Sequence, residues 1–289
     1  MLLFYKIVYK VKFIYDQHDL SPELFAEKFP ERRKGMFIRL IMLFERLTFA
    51  VADVVISTNE SLKKVALERG KKHGSSVFVV RNGPESADRR SKMAYSKPDG
   101  FSYICSYVGV MGAQDGVDLI LRAAKIILQT YQRKDILFLL IGAGEQFDQL
   151  RALSLSLNVD GIVRFTGRVP DEDLDSILDS SDVCLAPDPE NNFNNWHTMN
   201  KIMDYMSFGK PIVSFSLCET KVSAGDSAVY IKNNDVRAFA EAILKLVDDP
   251  VERGRLGRIG RERVKGLTWE HSVAHLKMAY ESLVCGSLG

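Results

Sequence analysis

The chain has 289 residues, 46% of them apolar and 26% charged, which is length enough for two ordinary domains and apolar enough for a sizeable core. A formal net charge of +2 supplies no overall field that would recruit nucleic acid, so that class of partner is set aside. The four cysteines, Cys105, Cys184, Cys218 and Cys285, form neither a CxxC pair nor a zinc spacing, and read as small buried residues of a reducing compartment.

The opening "MLLFYKIVYKVKFIYD" is apolar but broken by Lys6, Lys10 and Lys12, too short a run for the roughly 20 apolar residues of a spanning helix. It reads as a helix passing into a strand over Val11 to Tyr15. "FPERRKGMFIRLIMLFERLTF" joins Arg32, Arg33, Lys34 and Arg39 to Phe37, Ile38, Leu40, Ile41, Met42 and Phe44. Such a helix either lies in a membrane surface or is a core helix with a charged start. "VKFIYD", "DVVIST", "SLKKVALERG" and "VFVVRNG" then alternate strand and helix, enough for a partial sheet. "PESADRRSKMAYSKPDG" is polar, without period and flanked by proline, and reads as an interdomain linker.

From Phe101 the alternation is regular. Strands are expected in "FSYICSYVG", "ILFLLIG", "IVRFTG", "DVCLAP" and "PIVSF". Helices are expected over Val117 to Gln132, Phe147 to Leu157, Asp171 to Leu178 (capped by its own aspartate) and Thr198 to Phe208. This grammar means parallel strands with crossover helices, a doubly wound α/β domain that binds ligands at the carboxyl ends of its strands. Val251 to Leu283 adds two further helices, the second starting near "LTWEHS".

"NNWHTMNKIMDYMSFGKPIV" bears on chemistry. Thr198 is a good N-cap, and the helix behind it separates Met199, Ile202, Met203 and Met206 from Asn200, Lys201 and Asp204. A helix N-terminus after "DVCLAP", with Lys201 in its first turn, would suit a diphosphate. Asp204, one turn in, either is a solvated helix residue or accepts both hydroxyls of a ribose. "DED" at Asp171 to Asp173 opens a helix and reads as dipole-favoured carboxylates rather than metal ligands. "LLIGAGE" alone is a weak nucleotide signal.

The ordered set "YDQHDLSPE", "ADVVISTNES", "VFVVRNGPE", "YVGVMGAQDGVDLILRA", "LLIGAGE", "FTGRVPDEDL", "DVCLAP", "MNKIMDYMSFGKPIV" and "TWEHSVAHLKMAYE" resembles the family 4 retaining glycosyltransferases of GT-B fold, over nearly the whole chain. The resemblance implies two Rossmann-like domains, the N-terminal one incomplete and the C-terminal donor domain complete. The expected division is 1–95 for the acceptor side and linker, 96–265 for the nucleotide-sugar domain, and 266–289 for a helix crossing back. It implies that the second carboxylate of the family's donor helix, which holds the ribose, falls on Asp204. The first falls on Trp196, so that role is vacant or moved to Asn194 or Asn195. The family's phosphate-gripping arginine and lysine fall on Val110 and Asp115, and both cations are missing. Replacements to consider are Lys201, Arg168, Arg81 and backbone N–H groups at Gly109 to Gly112 and Thr198 to Asn200.

By the same resemblance, Gly142 to Glu145 and Arg168 frame the base, Asn195 and Met199 line the donor, and His18 and Asp19 stand on the acceptor side. His197 is either a loop histidine or a donor contact. The activity implied is that of a glycosyltransferase moving a sugar from a nucleoside-diphosphate sugar to a glycan or polyprenyl-linked acceptor, with no metal and no cofactor. It would be cytoplasmic, with a membrane surface as a further candidate partner. A truncated or non-catalytic nucleotide-sugar-binding scaffold is the alternative. A nicotinamide oxidoreductase fits poorly, because "GVMGAQDG" lacks the third glycine in register.

Overall fold

The computed structural model describes residues 2–32 and 34–285; Met1, Arg33, residues 286–289 and the side chains of Leu2, Leu3 and Cys285 lie outside the described residues. The chain divides into two compact units, Met1–Glu85 with Trp196–Thr198 and Leu267–Gly289, and Ser86–Asn195 with Met199–Gly266.

The first unit begins with α1 (Leu2–Tyr9), β1 (Ile14–Gln17), α2 (Ser21–Lys28) and α3 (Met36–Val51), followed by β2 (Val54–Ser57), α4 (Glu60–Glu68) and β3 (Val77–Val79). The strands form a parallel sheet in the order β1-β2-β3. Phe49, Val55, Ala66 and Val77 build its core, with Tyr15 edge-on to Phe49. Arg69, which follows α4, joins Glu23 of α2 at 2.6 Å to Glu45 of α3 at 2.7 Å, so one half-buried cation ties two helices to a third.

The second unit runs β4 (Tyr103–Val108), α5 (Val117–Gln129), β5 (Ile136–Ile141), α6 (Phe147–Ser156), β6 (Val163–Gly167), α7 (Asp171–Ser180) and β7 (Val183–Ala186). It continues with α8 (Asn200–Ser207), β8 (Ile212–Phe215), α9 (Cys218–Ala224), β9 (Ala228–Ile231), α10 (Val236–Asp248) and α11 (Pro250–Val264). Its strands are all parallel, in the order β6-β5-β4-β7-β8-β9. Strands β5, β7 and β8 are buried throughout, which is why they read as continuous apolar runs. The winding reverses between β4 and β7, the place where an open α/β sheet leaves a crevice at its strand ends. The last helix, α12 (Trp269–Cys285), belongs to the first unit, where Leu276, Ala279 and Leu283 pack on Val54, Ile56 and Val80.

Several local expectations are corrected. Strand β1 starts at Ile14 rather than Val11, because α1 ends at Tyr9 and Lys10 takes a left-handed turn with φ 55°. Helix α5 stops at Gln129, and Gln132 is again left-handed. Helix α7 has Pro170 at its N-cap and no side-chain cap, its three acids instead filling the first turn. Thr198 is not the N-cap of α8; Met199 is, without a side-chain hydrogen bond. Cys105 and Cys184 are buried as expected, whereas Cys218 is exposed at the start of α9. Elements α9, β9 and α10 fall between "PIVSF" and Val251, outside the segments assigned from sequence.

Candidate functional site

At the carboxyl ends of β4, β5 and β6, three loops are tied together through their backbones. Gly109 N–H donates to Ile141 at 3.1 Å, Met111 N–H to Ala143 at 3.2 Å, and Gly142 N–H to Gly167 at 2.9 Å. Glycine is required at Gly142, where φ is +127° and a Cβ would stand 1.9 Å from the Gly109 carbonyl. Asp115, where the resemblance would put a lysine, accepts from Gly112 N–H at 2.9 Å and closes its own turn. The amides of Gly109, Met111 and Gly112 are thus engaged internally, which removes them as ready phosphate donors. Val110, where the resemblance would put an arginine, is exposed, and its carbonyl accepts from the Tyr107 hydroxyl at 2.7 Å.

Helix α8 starts beside this cluster. Its N-terminal turn has no side-chain cap, the condition under which backbone N–H groups remain available to an anion. Asn200 is exposed at the first turn, and Met199 is buried below it. Lys201 does not extend into the open: its amine sits 2.8 Å and 3.0 Å from the two Asp188 oxygens and 4.8 Å from the Tyr107 ring centre. Only 11% of the lysine side chain and 2% of the aspartate's are accessible. Burial acts to lower the Lys201 pKa, but Asp188 outweighs it and holds the amine well above its usual value. The same burial raises the Tyr107 phenol. The positive charge read from sequence is real, and it is already neutralised.

Asp204 also has a partner. Arg89, from the stretch read as a linker, reaches Asp204 Oδ1 at 2.9 Å and also bonds Asp175 of α7, with its guanidinium 4.9 Å from the centre of the Phe208 ring. The segment is pinned further by Arg89 N–H to Ser207, Ser91 N–H to Asp179 and Tyr95 N–H to Ser180. It is therefore an ordered strap over α7 and α8. Burial, with Asp175 adding to it and Arg89 opposing, raises the Asp204 carboxyl above the ordinary carboxylate value.

Of the remaining expected residues, Glu145 and Arg168 are exposed at the ends of β5 and β6. Asn195 accepts from Cys218 N–H at 3.2 Å. Asn194 is buried and its amide donates to the Gln114 and Pro189 carbonyls, which braces its loop. In the first unit His18 follows β1 directly and lies 3.0 Å from Asp16, while Asp19 lies 3.2 Å from His197. Thr198 accepts from Asn59 Nδ2 at 2.9 Å, and Asn59 Oδ1 caps α4 by accepting from Leu62 N–H at 2.7 Å. Arg81 follows β3, and its carbonyl accepts from Ser272 of α12 at 2.7 Å. Sequence reasoning missed Asp188, Tyr107 and Arg89; nothing in their spacing marks them, since each meets its partner only through the fold.

A family model described as glycosyl transferases group 1 matches residues 102–249, about half of the chain and most of the second unit. The chain belongs to the glycosyl transferases group 1 family. Among curated relatives, the D-inositol 3-phosphate glycosyltransferase of Corynebacterium kroppenstedtii is 24% identical, matching 74% of this chain and 49% of its own length. A GDP-mannose-dependent monoacylated alpha-(1-6)-phosphatidylinositol monomannoside mannosyltransferase of Corynebacterium glutamicum is 25% identical, matching 68% of this chain and 52% of its own length. The chain thus spans about half the length of the curated relatives it matches. Sucrose-phosphate synthase of Thermosynechococcus elongatus superposes with a TM-score of 0.74 at 19% identity, over 98% of this chain and 71% of the other. HepE of Anabaena, solved with UDP and glucose, superposes with a TM-score of 0.71 at 14% identity, over 96% and 73%. The glycosyl transferases group 1 chain has the GT-B type of α/β fold, with two parallel sheets.

Proposed function

We propose that the chain binds a nucleoside-diphosphate sugar in its second unit and transfers the sugar, with retention of anomeric configuration, to an acceptor hydroxyl on a glycan or lipid-linked molecule. The observation that carries this reading is the pairing, on α8, of an uncapped helix N-terminus with a carboxylate one turn inside, at the carboxyl ends of a parallel sheet. Family membership and the UDP-bound neighbour support it.

In this reading the α8 N-terminus receives the diphosphate, and Lys201, paired with Asp188, braces its first turn from beneath. Asp204 takes the ribose hydroxyls, a role that requires Arg89 to share or release it. Gly142, Glu145 and Arg168 border the base, and His18 and Asp19 are assigned to the acceptor. Retention requires no protein nucleophile if the leaving diphosphate accepts the acceptor's proton on the face it leaves.

A second reading, nucleotide-sugar binding without turnover, is favoured by one observation. Val110 and Asp115 stand where the two cations would stabilise the leaving diphosphate, and the remaining nearby lysine is ion-paired. Calorimetric titration with UDP, GDP and ADP, beside an Asp204→Ala variant, tests binding. Binding of one nucleotide, weakened by more than about 1 kcal/mol in the variant, is expected. No binding by the folded chain refutes both readings; binding without release of sugar from the matching nucleotide sugar leaves the second.

A further inference from the structure

Arg89 commits both ends of its side chain and its backbone to α7 and α8. One terminal nitrogen donates to Asp204 Oδ1 of α8 at 2.9 Å, and the other bonds Oδ1 of Asp175 in α7. The residue's own N–H donates to the Ser207 carbonyl at 3.1 Å, and its guanidinium lies 4.9 Å from the centre of the buried Phe208 ring. Downstream, Ser91 N–H to Asp179 at 3.1 Å and Tyr95 N–H to Ser180 at 2.9 Å anchor the same strap. A planar fork fixed at so many points presents its N–H groups in one direction, which a flexible ammonium does not.

The fork does not close Asp204 off. Arg89 takes Oδ1 alone; among the described residues no bond is made to Oδ2, and 35% of the aspartate side chain is accessible. Both lone pairs of Oδ2 are therefore left for outside donors. Burial raises the Asp204 carboxyl, Arg89 opposes that rise and Asp175 adds to it. The other charges around α8 have partners of their own. Lys201 is held by Asp188 at 2.8 Å, and Lys210 donates to the Asp179 carbonyl. Arg261 of α11 donates to the Phe208 carbonyl at 3.0 Å, and it and Arg90 turn to Asp88 at 3.5 Å and 3.6 Å. Among the described residues, the cation that bonds Asp204 is Arg89.

We infer that Arg89 is a positioning residue of the nucleotide site, holding Asp204 by one carboxylate oxygen so that the other accepts the ribose hydroxyls. This rests on the reading of α8 as the nucleotide helix, and it decides how Asp204 serves there: Arg89 shares the carboxylate and stays when the nucleotide binds. Without the guanidinium, Asp204 would stand beside Asp175 with no cation between them, and would take up a proton more readily. A protonated carboxyl offers one acceptor fewer and adds a donor, a poorer match for two hydroxyls. If Arg89 instead blocked the site and had to leave, its removal would tighten binding, the opposite of what sharing requires.

Calorimetric titration of the full chain with UDP, GDP and ADP at about pH 6, 7.5 and 9 tests it, each variant being compared with the unmodified chain at the same pH. Arg89→Gln should bind the preferred nucleotide at least about tenfold more weakly at pH 6, with the deficit shrinking to about threefold or less at pH 9, where Asp204 ionises unaided. Adding Asp175→Asn removes the neighbouring acid and should recover at least about threefold at pH 6. Arg89→Lys keeps the charge and loses the fork, so it should bind at least about threefold more weakly at every pH. Circular dichroism confirms the fold of each variant, and Arg89→Lys carries the test if Arg89→Gln does not fold. Binding by Arg89→Gln as tight as or tighter than the unmodified chain at pH 6, or a deficit of equal size at every pH, overturns the inference and leaves the nucleotide site standing. So does an Arg89→Lys variant that binds like the unmodified chain. No binding of any nucleotide by the unmodified chain overturns the nucleotide reading itself, and this inference with it.

Discussion

Replacing Lys201 by methionine removes the amine from a pair that is almost closed to water and leaves Asp188 behind. At 2.8 Å, with an effective dielectric of about 20, the direct attraction is roughly 6 kcal/mol, most of it offset by the desolvation of both ions. What the substitution exposes is the cost of a buried carboxylate without its partner, about 3–5 kcal/mol. Methionine keeps the length and apolar character of the stem against Tyr107, so packing loss adds little. For a unit of this size the expected fall in melting temperature is about 6–20 °C, measured by circular dichroism and checked by urea unfolding. Adding Asp188→Leu to Lys201→Met should restore most of the loss, because the uncompensated charge is gone. Since the fold raises the Lys201 pKa, the pair's contribution is complete below the free lysine value of about 10.4 and declines only as pH rises through the folded value. Stability from this pair should therefore be flat across neutral pH. A loss below about 1 kcal/mol in Lys201→Met, or no recovery in the double variant, would refute the account of a buried structural pair and return Lys201 to the role of a free phosphate cation.

Asp204→Asn should weaken nucleotide binding while leaving stability at pH 7 equal or higher, because burial raises this carboxyl and its ionised form is the disfavoured one. In the unmodified protein the Asp204 contribution is largest below the free aspartate value of about 3.9 and is lost as pH rises through the raised folded value, so melts between about pH 4 and 7 should show the variant losing that dependence. Gly142→Ala, with φ of +127° and a Cβ 1.9 Å from a backbone oxygen, should cost about 3 kcal/mol or more, whereas Gly161→Ala, which meets nothing within 4 Å, should be nearly silent. Arg69→Met, which abandons Glu45 in the core of the first unit, should cost about 3–5 kcal/mol by urea unfolding. Burial already pushes the Glu45 carboxyl upward, so acidifying that variant should recover part of its loss.

Much of the second unit was legible. Strands β5, β7 and β8 are apolar without interruption because both faces are covered, and the helices between them keep one apolar side. Boundaries were less so: Lys10 and Gln132 turn left-handed, a choice set by where the chain must go next rather than by their own preference. The polar stretch after Pro84 resembled a linker because it has no period, yet Arg89, Ser91 and Tyr95 hold it to α7 and α8 through bonds that no local pattern encodes. Thr198 had the chemistry of an N-cap, but Asn59, far away in sequence, takes its hydroxyl.

By itself, then, the order of residues determined the α/β grammar, the alternation of strand and helix and the family, because these rest on local periodicity and on motifs in register. Which charges are free was decided only in three dimensions. Lys201 and Asp204 were each found as bearers of charge, and each turned out to be paired, with Asp188 and with Arg89. An ion pair depends on the distance between two side chains, and in a parallel sheet that distance is set by crossovers that bring together residues far apart along the chain.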